Sequence, residues 1–127
     1  MKRQKSFGIG IVLIAAALFF LTSPALADKS AVTITAPDSV AKGSEVTVKL
    51  SITHNGNSFF HYTNWVTLKV NGKEVTRWEF TGSKRPEAEA FTREYKLTVN
   101  EPVELTAEAN CNIHGSKGPA VKKIEVK

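Results

Sequence analysis

The chain has 127 residues, 17 Lys and Arg against 12 Asp and Glu, a formal net charge of +5 and a single cysteine. That length accommodates one domain of modest size and excludes two once any leader is removed. No basic cluster is interleaved with aromatics as a nucleic-acid groove requires, so nucleic acid is not an expected partner.

Lys2, Arg3 and Lys5 precede an uncharged apolar run from Phe7 to Leu21, which ends in Ser23-Pro24 and Ala25-Leu26-Ala27. This order describes a secretory signal peptide with a small-x-small cleavage site after Ala27. The apolar run of about 15 residues falls short of the roughly 20 that cross a bilayer, so no stable membrane insertion is expected after cleavage. The expected parts are therefore a signal over 1–27 and one domain over 28–127, periplasmic or otherwise exported. Removing the signal leaves 14 basic against 12 acidic residues, a net +2. Such a charge supports only a weak preference for anions.

Short runs of alternating apolar and polar residues then follow one another. Ala31 to Thr35 and Glu45 to Ile52 have the period of two that marks half-buried strands. Between them, Pro37 to Gly43 reads as a turn joining antiparallel neighbours. Trp65 to Val70 and Glu74 to Phe80 flank Asn71-Gly72, a pair that accepts the positive φ of a type I′ hairpin. Thr81 to Pro86 reads as loop. Ala90 to Val99, Val103 to Ala109 and Val121 to Val126 complete the set. About seven strands with short turns and no helical period imply an all-β fold, an immunoglobulin-like antiparallel β-sandwich.

All three histidines and the cysteine fall in two loops that follow predicted strands: His54 and His61 frame Asn55 to Phe60, while Cys111 and His114 are separated by Asn112-Ile113. An exported cysteine without a partner is open to oxidation unless it is buried or held by a metal. Imidazole and thiolate donors together suit iron, copper or zinc rather than calcium or magnesium. Gly115 after His114 lets the backbone turn away. A short C-x-x-H also arises by chance, and a lone Cys serves as a small core hydrophobe, so spacing alone leaves both readings open.

Cys111-Asn112-Ile113-His114-Gly115 matches the C-N-x-H-G motif, and here the chain resembles the superoxide reductases, which include neelaredoxin and the iron domain of desulfoferrodoxin. A second stretch of that family, H-P-x(4)-H-[HY]-I-x-W-I, is similar to His54 followed by His61-Tyr62-Thr63-Asn64-Trp65-Val66. The resemblance implies a mononuclear, non-haem iron cofactor held by four planar histidine nitrogens and one axial cysteine sulfur, with superoxide reduced to hydrogen peroxide opposite the sulfur. Carried over, His54, His61 and His114 are planar ligands and Cys111 the axial thiolate. The family's E-K-H-V-P stretch corresponds to Asp28-Lys29-Ser30-Ala31-Val32. Lys29 then matches the catalytic lysine that attracts superoxide, and Ser30 stands where the fourth histidine belongs. Water or the freed α-amino group of Asp28 is left to fill that position. The first histidine pair is also one residue wider than the pattern, His54 lacks the following proline, and Ser116-Lys117 replaces leucine and tryptophan.

With one cysteine the chain has no four-cysteine centre of its own, so a separate redox protein is the expected electron donor. A homo-oligomer is left open. Two other readings stand beside the oxidoreductase. One is a non-enzymatic metal-binding or electron-transfer module carrying iron or copper on the same fold. The absence of methionine after Met1 removes the usual axial copper ligand. The other is a binding domain that holds no metal.

Overall fold

The computed structural model describes residues 28–127, so the expected signal over 1–27 lies outside the described residues. Alternation dictates the architecture. Strands β1 (Ala31–Thr35), β3 (Ser44–Thr53) and β6 (Ala90–Val99) form a three-stranded sheet in the order β1-β3-β6. The second sheet, in the order β2-β8-β7-β4-β5, contains β2 (Ser39–Val40), β4 (Thr63–Val70), β5 (Lys73–Glu79), β7 (Val103–Cys111) and β8 (Ala120–Val126).

The inner faces meet along rows with a period of two. From β3 come Val46, Val48, Leu50 and Ile52; from β7 come Val103, Leu105, Ala107 and Ala109, all buried. Val66, Leu68, Phe91, Val99 and Ile124 fill the space between. The expected sandwich is therefore the observed one, with one more strand than expected. That strand lies inside the segment read as a turn: Ser39 and Val40 pair in parallel with Glu125 and Val126 of β8. Two residues are too few to show alternation, which is why the pattern misses them. Lys122 of β8 holds Asp38 just ahead of this strand and keeps its carboxyl below the usual carboxylate range.

The Asn71-Gly72 hairpin between β4 and β5 is as expected, with φ of +52° and +83°. Asn71 Oδ1 also accepts the Glu104 N–H at 2.8 Å, tying the turn to β7. The segment Asn100-Glu101-Pro102 does not join hairpin partners. It carries the chain from one sheet to the other, since β6 pairs with β3 and β7 with β4 and β8.

Register fixes which ends coincide. Ala31 lies opposite Thr53 across β1 and β3, Thr63 lies opposite Cys111 across β4 and β7, and Ser30 bridges to Ser116. One end of the sandwich thus gathers residues 30, 53, 63 and 111. No helix among the described residues is long and apolar enough to cross a membrane.

Leu50 is 0% exposed at the centre of the interface. Leu50→Ala is expected to lower unfolding free energy by about 2–5 kcal/mol, measured by denaturant titration, because both transfer energy and packing are lost.

Candidate metal centre

The site grows out of the strand pattern. Cys111 is the last inward residue of the β7 row and only 1% exposed, so it closes a strand where the sequence placed it in a loop. His54 takes the next inward step beyond Ile52, one residue after β3 ends, and is 7% exposed. The same alternation that builds the core thus delivers an imidazole and a thiol to one end of the sandwich.

His61 arrives through the loop before β4, where a bulge sets Asn64 and Trp65 against Asn110 alone. Bulges re-aim side chains beside functional sites. Here Asn110 Nδ2 donates to Asn64 Oδ1 at 2.8 Å and steadies the irregular register. Ser58 and His61 exchange backbone hydrogen bonds of 2.8 and 3.1 Å, which closes the turn carrying Phe59 and Phe60.

His54, His61 and Cys111 each offer a ligand atom, all within 4.8 Å of one another. His114 borders this set: its Nδ1 lies 3.2 Å from His61 Nε2 and 3.9 Å from Cys111 Sγ. The histidine rings stand edge to face, with centroids 4.7 Å apart for His54 and His61 and 5.0 Å apart for His61 and His114. All four side chains expected as metal ligands are therefore neighbours.

The donor chemistry fits a transition metal, since three imidazoles and one thiol give nitrogen and sulfur without a competing carboxylate in the set. His54 Nδ1 is buried without a hydrogen-bond partner, and its Nε2 donates to the Asp28 carbonyl at 2.8 Å. Burial holds His54 below the ordinary histidine range, partly countered by that bond to Asp28. Neutral imidazole is the form that binds metal.

Cys111 and Gly115 exchange backbone hydrogen bonds of 2.9 and 3.0 Å, closing a tight loop. Gly115 has φ +86°, the freedom expected of it. The loop turns the N–H groups of Ile113 and His114 towards Sγ at 3.5 and 3.4 Å. Such hydrogen bonds to sulfur help set the electronic character of thiolate–metal centres.

Ser30 does not replace the missing imidazole. It is fully buried, and its Oγ is engaged with Thr63 Oγ1 at 2.7 Å. Lys29 is half-buried and lines a cleft of about 260 Å³ with Thr53, His54, Asn55 and Lys117. It therefore stands beside one of the ligand histidines.

A family model for desulfoferrodoxin matches residues 23–116. The chain belongs to the desulfoferrodoxin family. Its fold is similar to that of a superoxide reductase (neelaredoxin) from Ignicoccus hospitalis, at 24% identity and a TM-score of 0.65, covering 78% of this chain and 82% of that one. A variant of the Ignicoccus protein is 26% identical, with a TM-score of 0.66 and coverage of 80% and 84%. A CARDB domain from Pyrococcus furiosus in complex with di-metal ions shares the fold at 14% identity, with a TM-score of 0.60 and coverage of 79% and 94%. No curated protein matches the chain.

Two supports of this desulfoferrodoxin-family site escaped the sequence reading. Gly56 sits at φ +153°, and a Cβ there would lie 2.5 Å from His61 Nδ1. The glycine hydrogen thus makes room for the ring, a signal latent in the Asn55-Gly56-Asn57 run. Asn112 accepts the Tyr62 N–H at 3.0 Å and donates to the Phe60 carbonyl at 3.1 Å, although it is exposed. Within the C-N-x-H-G motif it is the residue that joins the two loops.

Gly56→Ala is expected to displace His61 and weaken metal binding by about tenfold or more, read by chelator competition, while far-ultraviolet circular dichroism stays that of a β-sandwich. For Asn112→Ala, loss of two side-chain hydrogen bonds at roughly 1 kcal/mol each is expected to appear in thermal unfolding, with weaker metal retention on dialysis.

Proposed function

We propose that the chain is an exported mononuclear non-haem iron protein that reduces superoxide to hydrogen peroxide. The observation that carries this reading is the convergence of His54, His61 and Cys111 within 4.8 Å, with His114 alongside, in a desulfoferrodoxin-family chain. The reaction joins one superoxide anion, one electron and two protons into one molecule of hydrogen peroxide. Iron held by His54, His61, His114 and Cys111 would supply the electron by passing from ferrous to ferric, and a separate redox protein would restore it.

The protein's own groups have three tasks. The histidines present nitrogen donors, and burial favours His54 in its neutral state. Cys111 presents sulfur from a nearly inaccessible position, with two backbone N–H groups directed at it. Lys29 and Lys117 line the cleft beside His54, where their positive charge favours entry of a small anion. Lys29 is the residue we assign to attracting superoxide. Export is supported by the order of basic, apolar and small residues ahead of Asp28.

Anaerobic protein loaded with ferrous iron should be oxidised on stopped-flow mixing with superoxide, releasing peroxide in proportion to iron. Cys111→Ser should lose most of that rapid phase. Iron that remains ferrous after mixing with superoxide would sink the proposal. An intense thiolate-to-copper absorption in the protein as isolated would instead support the electron-transfer module.

A further inference from the structure

Exposed apolar surface is concentrated on the two loops of the metal centre. Among the described residues, Phe59 is 56% exposed, Phe60 77% and Ile113 58%, and the other large exposed hydrophobic side chain is Val121 of β8. The three are tied together by their loops. The Phe59 and Phe60 rings stand edge to face with centroids 5.0 Å apart, and Asn112, immediately ahead of Ile113, donates to the Phe60 carbonyl at 3.1 Å. None of them packs into the core between the sheets. An apolar patch held on ordered loops and turned to solvent marks a place where another molecule binds.

The patch adjoins the donor set and has a positive edge. His114 follows Ile113 and is itself exposed, with Nδ1 3.2 Å from His61 Nε2, so the patch leads to two of the imidazoles. Phe59 packs over Gly82, where an added Cβ would lie 3.3 Å from its ring and 2.5 Å from its carbonyl oxygen. Arg85 Nη1 donates to the Gly82 carbonyl at 2.6 Å, which keeps a guanidinium beside Phe59. Lys84 precedes it; both are exposed, and neither is in an ion pair among the described residues. Glu79 and Glu87 are already held by Arg77 and Arg93. Asp28 and Glu89 present their carbonyls to His54, so these two acids lie on the His54 side, where Lys29 and Lys117 offset them.

We infer that Phe59, Phe60 and Ile113 form the docking face for a small acidic one-electron carrier protein, which delivers its electron beside His114. An aromatic, apolar centre with a charged rim is the composition of a protein interface, and electron-transfer encounters sit at the small end of interface size, which suits a centre of three side chains. Lys84 and Arg85 favour an acidic edge on the partner and oppose a basic one. A membrane surface would cover the patch without supplying an electron. The proposed reduction of superoxide consumes one electron per turnover. The carrier is oxidised by one electron and the iron returns to the ferrous state, with no bond formed or broken and no proton moved. The inference rests on the metal-centre and activity readings above and adds to them the chemistry of the partner and the face it meets.

The test uses the mature chain with plant-type ferredoxin as an acidic carrier and cytochrome c as a basic one. Binding is measured by surface plasmon resonance at low and high salt, and electron delivery by anaerobic stopped-flow mixing of the ferric protein with reduced ferredoxin. The double variant Phe60→Ser, Ile113→Ser should weaken ferredoxin binding and slow the reduction by about tenfold or more. Lys84→Glu with Arg85→Glu should do the same at low salt and much less at high salt. Iron content, and reduction by ascorbate, which needs no docking face, should be unchanged in both. Cytochrome c should bind at least about tenfold more weakly than ferredoxin. Equal ferredoxin binding by parent and variants, or no ferredoxin binding at all, overturns the inference and leaves the metal centre standing. Phe60-dependent pelleting with phosphatidylglycerol vesicles, or Phe60-dependent self-association in sedimentation, without ferredoxin binding also overturns it, by giving the patch to a membrane or to a second copy. Phe60-dependent ferredoxin binding by a protein whose iron superoxide does not oxidise sustains the docking face while the activity reading falls.

Discussion

Asn112 spans two loops that the sequence separates by half the length of the domain. Its Oδ1 takes the Tyr62 N–H, its Nδ2 gives to the Phe60 carbonyl, and its own N–H gives to the Tyr62 carbonyl at 3.1 Å. Without these contacts the strands would still bring Cys111 and Thr63 into register. His61 would then hang from a loop with nothing to aim it at the thiol. The constraint is local, but the relation between the two halves of the donor set depends on it. It also explains how an exposed polar side chain contributes to geometry rather than merely to solubility.

Beneath that clamp the β-sandwich supplies rigidity of a different kind. Each inner row is spaced by the pleat, so extending β3 by one inward step yields His54 and extending β7 to its last residue yields Cys111. Neither position needs a special backbone. The special geometry is confined to the connecting loops, at Gly56 and Gly115, where positive φ lets the chain pass a ring or reverse sharply. Regular structure thus sets the depth of the donors, and irregular structure sets their direction.

Most of the fold was legible because alternation is a direct record of two-sided burial. The inward residues of β3 and β7, and Asn71-Gly72, could be read from the chain itself. Strand β2 could not, since Ser39 and Val40 gain their structure from a parallel contact with the end of β8, more than eighty residues away. The donor residues were visible as residue types, and their convergence was not, because it depends on register and on the β4 bulge. Ser30 was legible as a departure from a motif. Its burial against Thr63 was not, because that contact links a residue just ahead of β1 with the first residue of β4, far along the chain. The supporting roles of Gly56 and Asn112 were hidden for the same reason: neither residue type is unusual in a loop.

The depth of Cys111 has a consequence for how long such a protein would survive in an oxidising setting. A thiolate exposed to peroxide climbs from sulfenic to sulfinic acid, and the later steps are not reversed by ordinary thiols. Here Cys111 is 1% exposed, lies at the end of an apolar row, and begins the loop that closes from Gly115 back onto its own backbone. An oxidant in solvent therefore meets almost none of the surface of this residue. Burial therefore shields from solvent the atom most easily ruined by oxidants, and working lifetime becomes a property of packing.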